Sequence, residues 1–288
     1  MVRLAVMGAG RIGGEVAFLA AARGITDDLV LCDSVDPLLR AQVLDLSHTG
    51  LDLAISTDKT EIPGADICVF CAGLSRNPSV KTRADLLDVN LPAARECSRL
   101  LKNFSGILIT VTNPMDALNY FFAHATGLDR FRCIGFGGQL DSARFTLELK
   151  NRGVTSCGSV LGEHGEHQVP VFSNLPSDFS FSMREDILAR LRGSSMEVIR
   201  GKGGTAFGPA YHITELVRMI ADGTGEQTAC SSVLEGEYGL AGCSLGVPVR
   251  VGKGGILAIE EWRLDAWEQE KMMQAGKFAG ELCRRAVS

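Results

Sequence analysis

The sequence of 288 residues predicts an α/β protein, in which a doubly wound parallel sheet is followed by a mixed α+β domain. Short, fully apolar runs alternate with helical patterns over the first half of the chain, as expected of a parallel sheet covered by helices on both faces. A glycine-rich turn follows the first of these runs. From about residue 138 the alternation gives way to extended segments and long helices. We therefore predict one domain over residues 1–138 and a second over residues 139–288.

The first domain is predicted from strands that are apolar along their whole length, such as "ADICVFCAG" at 65–73. The helices between them show polar and apolar residues at helical spacing. The predicted strands are 3–8, 28–33, 65–73 and 106–114, and the predicted helices are 12–23, 36–48 and 83–103.

The second domain is predicted from a different order of elements. A helix at 139–152 precedes extended segments at 156–162 and 168–173 and two long helices at 183–200 and 206–222. Strand-like stretches at 228–236 and 246–252 lead to a closing amphipathic helix at 265–286. This order is typical of a mixed α+β domain packed on the first domain.

Composition limits the classes of partner. The formal charge of −5 and the pI near 5.6 argue against nucleic acid or an anionic membrane as the main partner. No uninterrupted apolar segment reaches the ~18 residues of a membrane-spanning helix.

Nine cysteines lie in apolar contexts, and the pair Cys68 and Cys71 has CxxC spacing. Residues three apart on a strand face opposite sides, so we predict no metal site and expect reduced core thiols of a cytoplasmic protein.

The glycine-rich turn "GAGRIG", from Gly8 to Gly13, has the context of a dinucleotide-binding (Rossmann) motif. Its backbone N–H groups can approach a pyrophosphate at the start of a helix. Asp33 ends the second strand, where a carboxylate accepts hydrogen bonds from ribose hydroxyls and repels a 2′-phosphate. We therefore predict NAD, in preference to NADP, as the cofactor. The alternative is a turn with only a structural role. The predicted cofactor-binding residues here are Gly8, Ala9, Gly10, Arg11, Ile12, Gly13 and Asp33.

Chemistry is suggested by His164 in "LGEHGEHQVP" (161–170). A catalytic histidine needs a partner that fixes its tautomer and stabilises its cationic form. Asp141 in "GQLDSARF" (138–145) could supply that contact, and Arg144, three residues later on the same helix, could hold a carboxylate. A structural histidine is the alternative, because sequence alone does not show that these residues meet.

Three cations, Arg76, Lys81 and Arg83, lie within the stretch "AGLSRNPSVKTRADLL" at 72–87. In a chain of net negative charge, such a cluster predicts a local pocket for a small anion.

These motifs, together with "VTNP" (111–114) and "EGEYG…LGVPVRVGKGG" (235–255), stand in the order seen in the lactate/malate dehydrogenase family. The chain most resembles the lactate-dehydrogenase-like malate dehydrogenases of archaea and bacteria. The resemblance spans nearly the whole chain. It implies NAD-dependent oxidation of malate to oxaloacetate and a homo-oligomer, either a dimer or a tetramer. Oxidation of lactate or another 2-hydroxy acid is the near alternative, and a non-catalytic NAD-sensing protein is the distant one.

The resemblance also implies catalytic roles. His164 is similar to the family's proton acceptor, and Asp141 to the carboxylate that orients it. Arg83 resembles the mobile-loop arginine that polarises the reacting carbonyl oxygen.

Binding roles follow from the same resemblance. Arg144 resembles the clamp on the C1 carboxylate of the substrate, and Arg76 the residue that binds the second carboxylate of a four-carbon acid. Asn113 is similar to the asparagine that contacts both substrate and nicotinamide. Asn90, Val111, Thr112 and Asn113 match cofactor-contacting positions.

One departure from the family concerns the cationic stretch. Arg76 and Arg83 are seven positions apart, where the malate enzymes usually have six, and Ser79 stands in place of a glycine. The loop is therefore expected to be one residue longer, with Lys81 as a solvated charge.

Overall fold

The computed structural model describes residues 1–74 and 84–288. The first half alternates strands and helices in the order β1 (Arg3–Met7), α1 (Arg11–Ala22), β2 (Asp28–Cys32), α2 (Asp36–His48), β3 (Ala54–Ser56), β4 (Ile67–Phe70), α3 (Leu87–Leu100), β5 (Ile107–Thr110), α4 (Met115–Thr126) and β6 (Cys133–Gly135).

The second half contains longer helices and strands. Its elements are α5 (Gly138–Asn151), β7 (Ser159–Gly162), β8 (Gln168–Val171), α6 (Phe181–Lys202), α7 (Phe207–Asp222), β9 (Gln227–Glu235), β10 (Ala241–Gly252), β11 (Gly255–Ile259) and α8 (Ala266–Val287). Helix α8 begins with a capping box between Asp265 and Glu268. None of the helices in the described residues is long and apolar enough to cross a membrane.

All the described strands form one sheet, in the order β3-β2-β1-β4-β5-β6-β9-β10-β7-β8, with β11 paired to β10. The first six strands of this order are parallel to their neighbours, whereas β9, β10, β7 and β8 pair antiparallel. The two parts join where Gly135 of β6 pairs with Ser231 of β9. A side chain at residue 135 would meet the Met115 sulfur at 2.3 Å and Cβ of Ser231 at 2.6 Å, so glycine permits this close contact.

The predicted fold class is confirmed, and the differences concern the extents of some elements and four elements that were not predicted. The strands predicted at 65–73 and 106–114 are shorter, because the chain turns away at the end of the sheet to form loops. The helix predicted at 83–103 begins as a 3₁₀ turn at Ala84–Leu86 and ends at Leu100. Four elements were not predicted: the helix α4 and the strands β3, β6 and β11, of which β3 and β6 are only three residues long.

The sheet brings three loops together at one edge. Because β1, β4 and β5 are parallel and adjacent, their carboxyl ends lie side by side. The hydrogen-bond pattern of the sheet continues into the loops. The N–H of Cys71 donates to the carbonyl of Met7 over 2.7 Å, and the N–H of Val111 donates to the carbonyl of Phe70 over 3.0 Å. The candidate site lies at this edge.

Candidate active site

The glycine turn after β1 is shaped by two close backbone approaches. A Cβ on Gly8, whose φ is +99°, would lie 2.5 Å from the nitrogen of Ala72. A Cβ on Gly13 would lie 1.9 Å from the carbonyl oxygen of Gly8. Gly10 differs, because a Cβ there would meet no described atom within 4 Å. Packing thus requires Gly8 and Gly13, whereas Gly10 faces open space.

The main chain of Ala9 is held on both sides. Its N–H donates to Oδ2 of Asp33 over 2.8 Å, and its carbonyl accepts from Nε2 of Gln42 over 2.9 Å. The other carboxylate oxygen of Asp33 accepts from the N–H of Val35 over 2.9 Å. A carboxylate has about four lone-pair sites, so Asp33 retains acceptor capacity.

Helix α1 starts directly at the turn. Gly10 is its N-cap, and no side chain of the described residues caps it, so the first N–H groups of the helix point towards the cleft. The guanidinium of Arg11 donates to the carbonyl of Lys202 over 3.4 Å, so this side chain reaches across to the end of α6.

The opposite wall is organised by the buried side chain of Asn90. Its Oδ1 accepts from the N–H of Leu74 over 2.7 Å, and its Nδ2 donates to the carbonyl of Asn113 over 2.7 Å. The hydroxyl of Thr112 donates to the carbonyl of Ala72 over 2.9 Å, and the peptide bond between Asn113 and Pro114 is cis. Asn90 thereby joins the loops that follow β4 and β5.

The predicted histidine, aspartate and arginine lie together. Nδ1 of His164 is 2.6 Å from Oδ2 of Asp141, and Oδ1 of Asp141 is 2.8 Å from Nη1 of Arg144. Asp141 is 2% exposed and Arg144 17%, so both charges lie largely out of water. A Cβ on Gly137 would be 2.4 Å from Cγ of His164, so the ring lies directly on this glycine.

A second carboxylate holds the main chain of His164. The N–H of His164 donates to Oδ2 of Asp116 over 2.8 Å, and the hydroxyl of Ser231 donates to Oδ1. Burial, followed by the neighbouring Glu163, raises the pKa of Asp116 from 3.8 to about 7.

A cleft of about 360 Å³ connects the turn with the histidine. The predicted residues that line it are Gly10, Arg11, Ile12, Gly13, Val111, Thr112, Asn113, Arg144 and His164. Five other predicted residues do not line this cleft: Gly8, Ala9, Asp33, Asn90 and Asp141. Each of them contacts either a lining residue or a residue next to one. Arg76, Lys81 and Arg83 lie outside the described residues.

The structure adds residues that the sequence pattern did not identify. Ser195, Ile199 and Thr205 line the cleft from α6 and the turn that follows it. Gln42 and Asp116 support the site from behind. No local motif marks these residues, since each acts through a contact distant in sequence.

Of the CxxC pair, Cys68 is buried within β4, whereas Cys71 follows the strand and lines the cleft. Burial raises the pKa of Cys71 to about 12 and that of Cys68 well above its usual value. This disfavours the thiolate form that a metal ligand or a redox nucleophile needs.

Models of one protein family match both halves of the chain. The NAD binding domain of lactate/malate dehydrogenase matches residues 2–135, and the alpha/beta C-terminal domain of the same family matches residues 138–282. The chain belongs to the lactate/malate dehydrogenase family. The predicted family, the oxidoreductase class and the NAD cofactor are thereby confirmed.

Relatives in the family cover nearly the full chain. A malate dehydrogenase of Halobacterium salinarum is 36% identical over 296 residues, which cover 96% of this chain and 97% of the relative. The structure of malate dehydrogenase from Archaeoglobus fulgidus in complex with NADH superimposes with a TM-score of 0.89 at 31% identity, covering 99% of this chain and 100% of the other. A minor L-lactate dehydrogenase from Enterococcus mundtii superimposes with a TM-score of 0.89 at 23% identity, covering 98% of each chain, which shows the shared fold alone.

Proposed function

We propose that this family member is a malate dehydrogenase, which oxidises malate reversibly to oxaloacetate with NAD. The observation that carries the proposal is the contact of His164 with Asp141, beside Arg144, in the cleft that also contains the glycine turn. The relatives named malate dehydrogenase support the choice of substrate.

The residues present fit a dinucleotide. Open space at Gly10 and the uncapped start of α1 suit a pyrophosphate, and the acceptor capacity of Asp33 suits the ribose hydroxyls. Arg11 adds a positive charge beside the turn. When bound, NAD supplies the acceptor for the hydride that leaves C2 of malate.

Substrate binding is assigned to two arginines. Arg144 lines the cleft and would pair with the C1 carboxylate, because a guanidinium matches the planar geometry of a carboxylate. Arg76 would pair with the second carboxylate, which lactate and pyruvate lack. Its placement lies outside the described residues, so this role rests on the sequence and on the relatives.

The proton step is assigned to His164. Because its Nδ1 faces Asp141, its Nε2 is the atom available to take the hydroxyl proton of malate. Asp141 fixes the tautomer and stabilises the imidazolium that forms. Arg83 would polarise the carbonyl oxygen in the reverse direction. General acid–base catalysis of this type contributes typically about 10²–10⁴-fold.

The direct test is steady-state kinetics with oxaloacetate and with pyruvate, each with NADH and NADPH. We expect the highest catalytic efficiency with oxaloacetate and NADH. Preference for pyruvate would favour the lactate alternative, and absence of turnover with either would favour an NAD-sensing protein. Equal efficiency with NADH and NADPH would remove the role given to Asp33, because a carboxylate there repels a 2′-phosphate.

Three wider predictions belong to the same proposal. They are a division into a cofactor domain at residues 1–138 and a substrate domain at residues 139–288, a homo-oligomeric state, and a cytoplasmic location.

A further inference from the structure

Asp116 is a buried carboxylate that the proposed reaction does not use. It lies in the first turn of α4, two residues after the cis-proline segment, and is 4% exposed. Its Oδ2 accepts the N–H of His164 over 2.8 Å. Asp116 therefore links the start of α4 to the residue that carries the proposed proton acceptor.

The other oxygen of Asp116 joins a buried polar network. Ser231 donates to Oδ1, and its hydroxyl is 2.8 Å from that of Ser244, which accepts from Asn119 over 3.0 Å. Ser231, Ser244 and Asn119 have no exposed surface. Since these residues come from β9, β10 and α4, the network fixes the carboxylate rigidly.

The titratable groups that face Asp116 are acids and thiols, apart from His164 itself. They are Glu163 beside His164, Asp141 on α5, Cys243 on β10 and Cys283 on α8. Among the described residues, no ion pair joins Asp116 to a lysine or arginine. Within residues 1–74 and 84–288, the groups that offset the free-energy cost of ionising this buried carboxylate are therefore its two hydrogen bonds, from His164 and Ser231.

We propose that Asp116 is a positioning residue for the proton step: its carboxylate fixes the main chain of His164, and its charge favours the imidazolium form of that ring. The inference rests on the proposed role of His164 as proton acceptor.

Covalent geometry keeps the charge of Asp116 close to the ring of His164. The ring of His164 is joined to its own backbone nitrogen through only two carbon atoms, so a charge hydrogen-bonded to that nitrogen also lies near the ring. In a buried site, a negative charge at such a distance stabilises a cation with little screening. Asp116 thus adds to Asp141, which contacts the ring directly.

The charge of Asp116 also varies with pH. Because burial and Glu163 raise its pKa to about 7, the fraction of charged carboxylate rises across the neutral range. Support for the imidazolium therefore strengthens as the pH increases through 7.

Asp116→Asn separates the charge from the hydrogen bonds. The amide oxygen can accept from His164 and the amide nitrogen can donate to Ser231, so the geometry is kept while the charge is lost. Asp116→Ala removes both and serves as the more severe variant. Ser244→Ala is the matched control, because it disturbs the network without contacting Asp116.

The first measurement is the NMR titration of the His164 ring in the cofactor-free protein, identified among the five histidines with His164→Gln. We expect Asp116→Asn to move the midpoint of this titration to lower pH by about 0.5–1 pH unit. Ser244→Ala should leave the midpoint in place. This measurement does not depend on the substrate, so it separates failure of this inference from failure of the proposed function.

The second measurement is the pH profile of kcat for malate oxidation, with NADH affinity followed by fluorescence. We expect Asp116→Asn to move the acidic limb of this profile to lower pH. The value of kcat near pH 8 should fall several-fold, and the affinity for NADH should stay within twofold of the parent. An unmoved ring titration in folded Asp116→Asn would overturn the proposal. Equal shifts in Asp116→Asn and Ser244→Ala would also overturn it, because the effect would then come from packing.

Discussion

The two ends of the cleft are formed by different kinds of chemical group. At the glycine turn, the groups that face the cleft are backbone N–H groups and empty space, and the nearest carboxylate, Asp33, is partly exposed. At His164, the groups are side chains, with Asp141 and Asp116 both at least 96% buried. Shape therefore dominates the first end, and electrostatics dominates the second.

This difference follows from the needs of binding and of proton transfer. A dinucleotide is recognised along its length, so that space and aligned N–H groups suffice. Proton transfer creates a charge, and preorganised charges in a site shielded from water stabilise it most strongly. Variants at the two ends should therefore fail in different ways.

The largest effect is expected for His164→Ala. It removes the proposed proton acceptor, so turnover should fall by at least about 10²-fold, whereas NADH affinity should stay within twofold because the glycine turn is intact. Steady-state kinetics and NADH fluorescence titration measure the two quantities. His124→Ala, an exposed histidine on α4, is the matched control. If His164→Ala kept more than about a tenth of the rate, the assigned role would be untenable.

The next effect, that of Arg76→Gln, should depend on the substrate. With oxaloacetate, the change leaves a carboxylate without its partner, a loss of about 3–5 kcal/mol or roughly 10²–10³-fold. With pyruvate, the same change removes an unpaired cation and should be neutral or helpful. The ratio of the two catalytic efficiencies measures the effect, with Lys81→Gln as the control in the same stretch of sequence. A ratio altered by less than about threefold would show that Arg76 does not contact the substrate.

In the second half of the fold only β11 was not predicted, whereas in the first half β3, α4 and β6 were missed. The apolar runs that were predicted in the first half are strands, because their local pattern and the topology agree. The joining of both halves into one sheet depends on Cys133–Gly135, a three-residue strand too short to show a period. Gly135 of this strand pairs with Ser231, which lies 96 positions further along the chain, and no local sequence pattern indicates that pairing.

The candidate site shows the same limit. His164, Asp141 and Arg144 were predicted, and the structure places them in contact, because they lie in recognisable motifs. Asp116 was not predicted, since an acidic residue in the first turn of a helix is ordinarily explained by the helix dipole. Its contact with His164 spans 48 positions and arises from packing.

A still smaller effect is expected from Asp116→Asn on stability. The pKa of Asp116 rises from 3.8 to about 7 on folding, so the folded state favours the protonated form. This contribution to stability is complete below about pH 4 and is lost as the pH rises through 7. The free energy of unfolding of Asp116→Asn, measured relative to the parent at the same pH, should therefore rise by roughly 1–3 kcal/mol from pH 5 to pH 8. Urea titrations at both pH values measure it, with Ser244→Ala as the control. If the difference in unfolding free energy between Asp116→Asn and the parent were the same at both pH values, this would contradict the ionisation of Asp116 in the folded protein.

The smallest effect, and the sharpest test of the glycine turn, is expected from Gly10→Ala. The φ of Gly10 is −73°, which alanine adopts readily, and the added Cβ meets no described atom within 4 Å. Stability should therefore change by less than about 1 kcal/mol. The methyl group would instead occupy the space that we assign to the pyrophosphate. NADH affinity should fall by about tenfold, or 1.4 kcal/mol, with kcat at saturating NADH much less affected.

The matched control for that test is Gly193→Ala, within α6. A Cβ there also meets nothing within 4 Å, but the residue is exposed and does not line the cleft. It should raise stability by about 0.5–1 kcal/mol, as expected for alanine inside a helix, without changing NADH affinity. If Gly10→Ala bound NADH within twofold of the parent, the open space at residue 10 would have no part in binding. The turn would then be only a chain reversal, and the contrast between a site built from shape and a site built from charge would lose its first half.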